Sequence, residues 1–176
     1  MEDPENFSLL LSRGEAGSNA IGAPESPPLT WRALRDLAAR TIDDLNAMGI
    51  GRDDRVAIVL RNGPEMATTF VCVASCAATA PLNPGYREDE FDFYLGDLQP
   101  KALILEGGVS SPARTVATKL SIPVVELHPE PAQGAGSFRL EGPAGNCSRI
   151  QPQARPAAAS VVRHARRGTA VAGTVP

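Results

Sequence analysis

The chain has 176 residues, enough for one domain with material left over, and its formal net charge of −3 gives no overall case for nucleic acid or an anionic membrane surface. Hydrophobic residues make up 43% and aromatics only 5%, an ordinary soluble composition with few large rings. No apolar run is long enough to span a bilayer, the acidic start Met1-Glu2-Asp3-Pro4-Glu5 does not read as a secretory signal, and three cysteines give no even disulfide framework, so a cytoplasmic protein is expected.

Met1 to Ser12 reads as an amphipathic start, with Phe7, Leu9, Leu10 and Leu11 as docking residues. Gly14 to Pro28 is turn-rich and reads as a loop around one short strand near Ala20-Ile21. Thr30 places a hydroxyl directly before an apolar-periodic run and is expected to cap a helix. Trp31, Leu34, Leu37, Ala38, Leu45 and Met48 lie on one stripe of it, and Gly49 supplies a left-handed stop. Val56 to Leu60 is a short apolar run rich in β-branched residues, as in a strand buried on both faces. Pro64 suits the first position of a helix, where its missing N–H costs nothing. Met66, Phe70, Val73, Ala74 and Ala77 recur at helical spacing, and Thr79 to Leu82 is the next strand, stopped by Asn83-Pro84-Gly85. Strand, crossover helix and strand make a βαβ unit, whose strands should be parallel.

A third helix is expected from Arg87 to about Asp97, with Glu88, Asp89 and Glu90 at its positive end. Phe91, Tyr94, Leu95 and Leu98 form its apolar side. Lys101 to Glu106 is a buried strand, Gly107-Gly108 a turn, Ser110 to Leu120 a helix and Ile122 to Leu127 a strand. This alternation predicts an α/β layered fold with a mostly parallel sheet and flanking helices. The chain then changes character. From Glu141 to Pro176 there is no aromatic residue and no lysine, and Glu141 is the one acid against Arg149, Arg155, Arg163, Arg166 and Arg167. Such a composition predicts a disordered tail. The expected organisation is therefore an N-terminal extension over 1–29, a partial domain over 30–140 with its ordered heart at 30–128, and a tail over 141–176.

Several ordered motifs carry a resemblance. They are Thr30-Trp31, Gly49-Ile50, Asp54-Arg55-Val56-Ala57-Ile58, Asn62-Gly63-Pro64-Glu65, Pro81-Leu82-Asn83-Pro84-Gly85-Tyr86, Glu90-Phe91 and Pro100-Lys101-Ala102-Leu103-Ile104. Together they resemble the opening of the AMP-forming acyl-CoA synthetases, the adenylate-forming ligases, with a flavour similar to the oxalyl-CoA type, over about residues 5 to 140. The resemblance implies a two-step reaction. A carboxylic acid attacks the α-phosphate of ATP to give an acyl-adenylate and pyrophosphate, and the thiol of coenzyme A then displaces AMP. It also implies magnesium and a Ser/Thr/Gly-rich phosphate loop with a lysine. No position here matches that loop or the family's late catalytic lysine, for the only lysines are Lys101 and Lys119. No catalytic, cofactor-binding or metal residue is therefore assigned, no cofactor is expected for this fragment, and the chain is expected to be inactive alone. The tail suggests a shifted reading frame or a truncated gene. Asp53 and Cys76 stand where the family usually has glycine, and Arg87 where it has an N-cap hydroxyl, a poor choice beside the positive end of a helix.

The sharper local motifs have plainer readings. Gly107-Gly108-Val109-Ser110-Ser111 lies between a strand and a helix, where phosphates bind, but lacks the spacing of a phosphate loop and reads as a turn and helix cap. Cys72 and Cys76 share a helix face and read as buried thiols rather than a metal pair. Glu88, Asp89, Glu90 and Asp92 read as solvated first-turn charges rather than paired catalytic acids. His128 reads as a loop histidine after a strand. Arg163-His164-Ala165-Arg166-Arg167 has no aromatic interleaving and reads as tail composition rather than a nucleic-acid patch. Two other classes stay beside the ligase reading: a non-catalytic α/β interaction module, and nucleic-acid binding through the basic tail.

Overall fold

The computed structural model describes residues 7–142. Its centre is a five-stranded sheet in the order β4-β3-β5-β6-β7, built from β3 (Arg55–Val59), β4 (Ala78–Pro81), β5 (Ala102–Glu106), β6 (Val124–Pro129) and β7 (Phe138–Glu141). The first four strands are mutually parallel, and β7 runs antiparallel to β6. A separate hairpin, β1 (Asn19–Ala23) and β2 (Ser26–Thr30), lies ahead of the sheet in the chain. The helices are α1 (Phe7–Ser12), α2 (Trp31–Ala47), α3 (Pro64–Ala74), α4 (Glu88–Leu98) and α5 (Pro112–Lys119).

Because side chains alternate across a strand, β3 and β5 each feed two cores. Val56 and Ile58 of β3 with Ala102 and Ile104 of β5 face one way, into a core shared with α2 and α3. Ala57 and Val59 with Leu103 and Leu105 face the other way, into a core shared with α4 and α5. Both strands are apolar over nearly their whole length for this reason, as expected of parallel strands covered on two faces.

The ends of α2 form as the residues dictate. Thr30 accepts the N–H of Ala33 at 3.3 Å. Gly49 sits at φ 77° and lets the N–H of Ile50 fold back onto the carbonyl of Leu45 at 2.9 Å. Thr41, absent from the expected stripe, is buried with its hydroxyl donating to the carbonyl of Leu37 at 2.9 Å. Arg35 ties α1 down by donating to the carbonyls of Leu11 and Gly14, each at 3.0 Å. Asp54 accepts the N–H of Gly51 at 2.8 Å, and this bond, helped by Lys101 at 3.2 Å, holds its carboxyl below the usual range.

Four expectations are corrected. Gly14 to Pro28 is not a loop around one strand but the β1–β2 hairpin; Pro27 and Pro28 are tolerated because a two-stranded ribbon leaves outward N–H positions unused. The sheet does not end at Leu127, because β7 adds an antiparallel edge that buries Phe138. Of the expected stripe Met66, Phe70, Val73, Ala74 and Ala77, only Val73 and Ala77 are buried; Thr68, Thr69 and Cys72 make up the rest of the buried face of α3. Thr68 goes inside because its hydroxyl donates to the carbonyl of Gly136 at 2.6 Å. Tyr94 is 40% exposed instead of packing inward, and its ring stacks on Tyr86 at 5.1 Å. Arg87 proves less awkward than its charge suggested: its own N–H donates to the Glu90 carboxylate at 2.8 Å, so the acid three residues on closes the start of α4. The tail assigned to 141–176 lies outside the described residues, apart from Glu141 and Gly142.

Candidate functional site

The strand order creates one crevice on purely topological grounds. The chain leaves β3 through α3 on one face of the sheet and reaches β4. It then crosses back through α4 on the other face to β5, on the far side of β3. The carboxyl ends of β3 and β5 are thus a switch point, where open α/β sheets bind ligands. A cavity of about 160 Å³ lies there, between Leu60 and Arg61 at the end of β3, Leu105 and Glu106 at the end of β5, and Ser110 and Ser111 at the start of α5.

The turn between β5 and α5, beside the cavity, is made by glycine. Gly107 donates its N–H to the carbonyl of Leu127 at 2.8 Å, and a Cβ there would lie 2.4 Å from the His128 ring. Gly108 turns the chain at φ 73°, which costs glycine nothing. Ser111 caps α5 by accepting the N–H of Ala113 at 3.2 Å, so the turn-and-cap reading of this motif holds. The sequence reading missed Arg61, which stands exposed at the rim. Its only local signal is a turn following a strand; the partner strand that makes it part of a crevice is more than forty positions away.

Behind the crevice, β6 carries an ionic cluster. Arg114 of α5 grips Glu126 with both terminal nitrogens, the second at 3.2 Å, and this hydrogen bonding holds the Glu126 carboxyl below its usual range. A lowered carboxyl stabilises the fold above the unfolded-state value, about 4.3, and that contribution disappears as pH falls through the folded value. Glu126→Gln should therefore cost about 0.5–1 kcal/mol at pH 7, an amount discounted for partial exposure, and nothing in acid. Urea unfolding of both forms in steps from pH 7 down to about pH 2 measures this, the difference between them shrinking as the pH falls. His128 lies within β6 rather than after it, paired in register with Arg139 and 3.2 Å from the Glu141 carboxylate through Nε2.

The remaining candidates are not brought to the crevice. Lys101 stands just before β5, at the opposite end of the sheet, 3.2 Å from Asp54. Lys119 ends α5 and binds Asp92 of α4 at 2.8 Å. Cys72 is fully buried, and desolvation pushes its thiol up to about 12, so it packs as a small hydrophobe; burial also raises Cys76. Among the described residues no three His, Cys, Asp or Glu side chains converge. Among them, too, no helix is long and apolar enough to cross a membrane.

The family model described as AMP-binding enzyme matches residues 17–163. The oxalate–CoA ligase of Saccharomyces cerevisiae is 41% identical over 95 residues, covering 51% of this chain and 17% of that protein. The oxalate–CoA ligase of Arabidopsis thaliana is 38% identical over 96 residues, covering 53% of this chain and 19% of that protein. The chain thus spans less than a fifth of the length of these relatives. The crystal structure of ATP-bound MatB from Rhodopseudomonas palustris shares the fold, with a TM-score of 0.63 at 22% identity over 72% of this chain and 26% of that one.

Proposed function

The chain belongs to the AMP-binding enzyme family, and from that premise we propose that it is scaffold from an AMP-forming acid–CoA ligase, inactive in adenylation by itself. The parent reaction joins a carboxylic acid to coenzyme A through an acyl-adenylate, at the expense of ATP. The similarity to oxalate–CoA ligases supports a short acid as its substrate. The observation that carries the inactivity is the placement of the lysines. Adenylation gathers charge on the phosphates of ATP, and a positioned cation is needed where that charge develops. Both lysines of this chain are engaged in ion pairs away from the crevice.

The switch-point cavity supports a partial site. Pockets for whole ligands run from about 300 to 1,000 Å³, so a cavity of about 160 Å³ takes a phosphate-sized group and not a nucleotide. Arg61 would supply charge, and Ser110 a hydroxyl donor, to the phosphate end of ATP or coenzyme A. These residues bind and orient; none is placed to move a proton. ATP–pyrophosphate exchange, assayed on the purified chain with oxalate and a panel of short acids, should show no acid-dependent exchange. Exchange above background overturns the proposal.

The reading of residues 141–176 as a shifted frame is supported by their composition alone. The family match running to residue 163 weighs against a frame change at Leu140. Reading the other two frames of the coding DNA past codon 140 tests it: neither frame yielding a Ser/Thr/Gly-rich loop ending in lysine overturns it.

A further inference from the structure

One helix face is built unlike a solvated surface. Along the outside of α4, Asp89, Phe93 and Asp97 follow one another at four-residue spacing, with Glu90 and Tyr94 in the adjoining row. Residues so spaced are neighbours on a helix. All five are exposed, Phe93 at 69% and Tyr94 at 40%. The rings are also ordered among themselves. Tyr94 stacks on Tyr86, with 14° between the planes, and meets Phe93 edge-on at 5.3 Å. Three carboxylates around a ring shelf form a seat for guanidinium groups, which stack on aromatic faces while donating to carboxylates in their plane. A lysine ammonium would use such a seat less well, since it has no flat face to stack.

The chain carries a segment of matching chemistry. Residues 143–176 contain Arg149, Arg155, Arg163, Arg166 and Arg167, with no acid and no lysine. They continue from Gly142, which lies against Met48 just after α2. α2 and α4 are on opposite faces of the sheet, so reaching α4 from Gly142 requires a path around it. Residues 143 to 163 span up to roughly 70 Å when extended, whereas a domain of the described size measures on the order of 35–40 Å across. The arginines at 163–167 can therefore reach the shelf. Tethering raises their effective concentration there without any further contact.

We propose that the segment 143–176 docks on the outer face of α4, its arginines seated on Phe93 and Tyr94 and held by Asp89, Glu90 and Asp97. This goes beyond the scaffold reading and does not depend on it, because the contact needs only the polypeptide as written. Limited trypsin digestion of the full chain reads it directly, with cleavage after Arg149, Arg163, Arg166 and Arg167 followed by mass spectrometry. The comparison is the full chain carrying Asp89→Asn, Phe93→Ser and Asp97→Asn, all at exposed positions, its fold checked by circular dichroism. At low salt the parent chain should be cut about fivefold more slowly than the variant, and 0.5 M sodium chloride should remove the difference, as expected of exposed ionic contacts. Equal cleavage rates at low salt overturn the proposal and leave the face to another partner. Protection that grows with protein concentration also overturns it, by making the occupant a second copy's segment.

Discussion

Phe91→Ala should lower the unfolding free energy by about 3–5 kcal/mol, the cost of removing a buried aromatic ring and leaving its cavity. The Phe91 ring has no exposure and fills the core between α4 and the sheet, with Ala57 and Val59 of β3 and Leu103 and Leu105 of β5 in the same cluster. Tyr86 meets it edge-on at 5.7 Å. α4 is the element that carries the chain back over the sheet from β4 to β5, so loosening it loosens the crossover on which the crevice depends. A domain of this size has only about 5–15 kcal/mol in hand, and the substitution removes a large share of it. Phe93→Ala is the matched control. It deletes the same ring two residues away, at a residue already 69% exposed, and should change stability by no more than about 0.5 kcal/mol. Urea titrations followed by circular dichroism separate the two. Similar losses for both would mean that α4 does not present the face described.

That contrast also shows where the sequence was legible. Phe91 and Phe93 are both aromatic, and period alone put Phe91 inside. Period failed on Tyr94, which the apolar side of α4 had included, because an aromatic neighbour outside the helix, Tyr86, offers it a stack at the surface. β3 and β5 were readable because burial on both faces demands an unbroken apolar run, and few other elements produce one of that length. β7 was not readable: only Phe138 is buried along it, and an edge strand with one core residue has no period to detect. The buried face of α3 was legible at Val73 and Ala77 and missed at Thr68 and Thr69, which look polar. Nothing local says that the carbonyl waiting for the Thr68 hydroxyl belongs to Gly136. The crevice was half legible. Gly107 to Ser111 reads as a turn and cap at a strand end, which it is; that Arg61 shares its cavity follows from strand order, which neighbouring residues do not encode.

Gly136→Ala should have the second large effect, about 2–4 kcal/mol, from backbone strain and overpacking together. Gly136 sits at φ 77°, a conformation side chains resist, and a Cβ there would lie 2.6 Å from the carbonyl oxygen of Pro64 and 2.8 Å from Cγ2 of Thr68. Neither neighbour can withdraw. The Pro64 carbonyl belongs to the first turn of α3, and Thr68 is held by its bonds to Pro64 and Gly136. The segment is also a crossroads: Ala135 donates to the carbonyl of Pro27 at 2.8 Å, and Phe138 begins β7 two residues later. Displacing it should therefore free β7 and the β1–β2 hairpin before it disturbs the parallel strands, whose hydrogen bonds lie elsewhere. Hydrogen exchange should show faster exchange in residues 19–30 and 126–141, with β3 and β5 still protected. Thr68→Val isolates the polar part, since it leaves the glycine free while removing the hydroxyl, and should cost about 1–2 kcal/mol. If Gly136→Ala unfolds β3 and β5 as readily as β7, the edge is not the separable unit that its contacts describe.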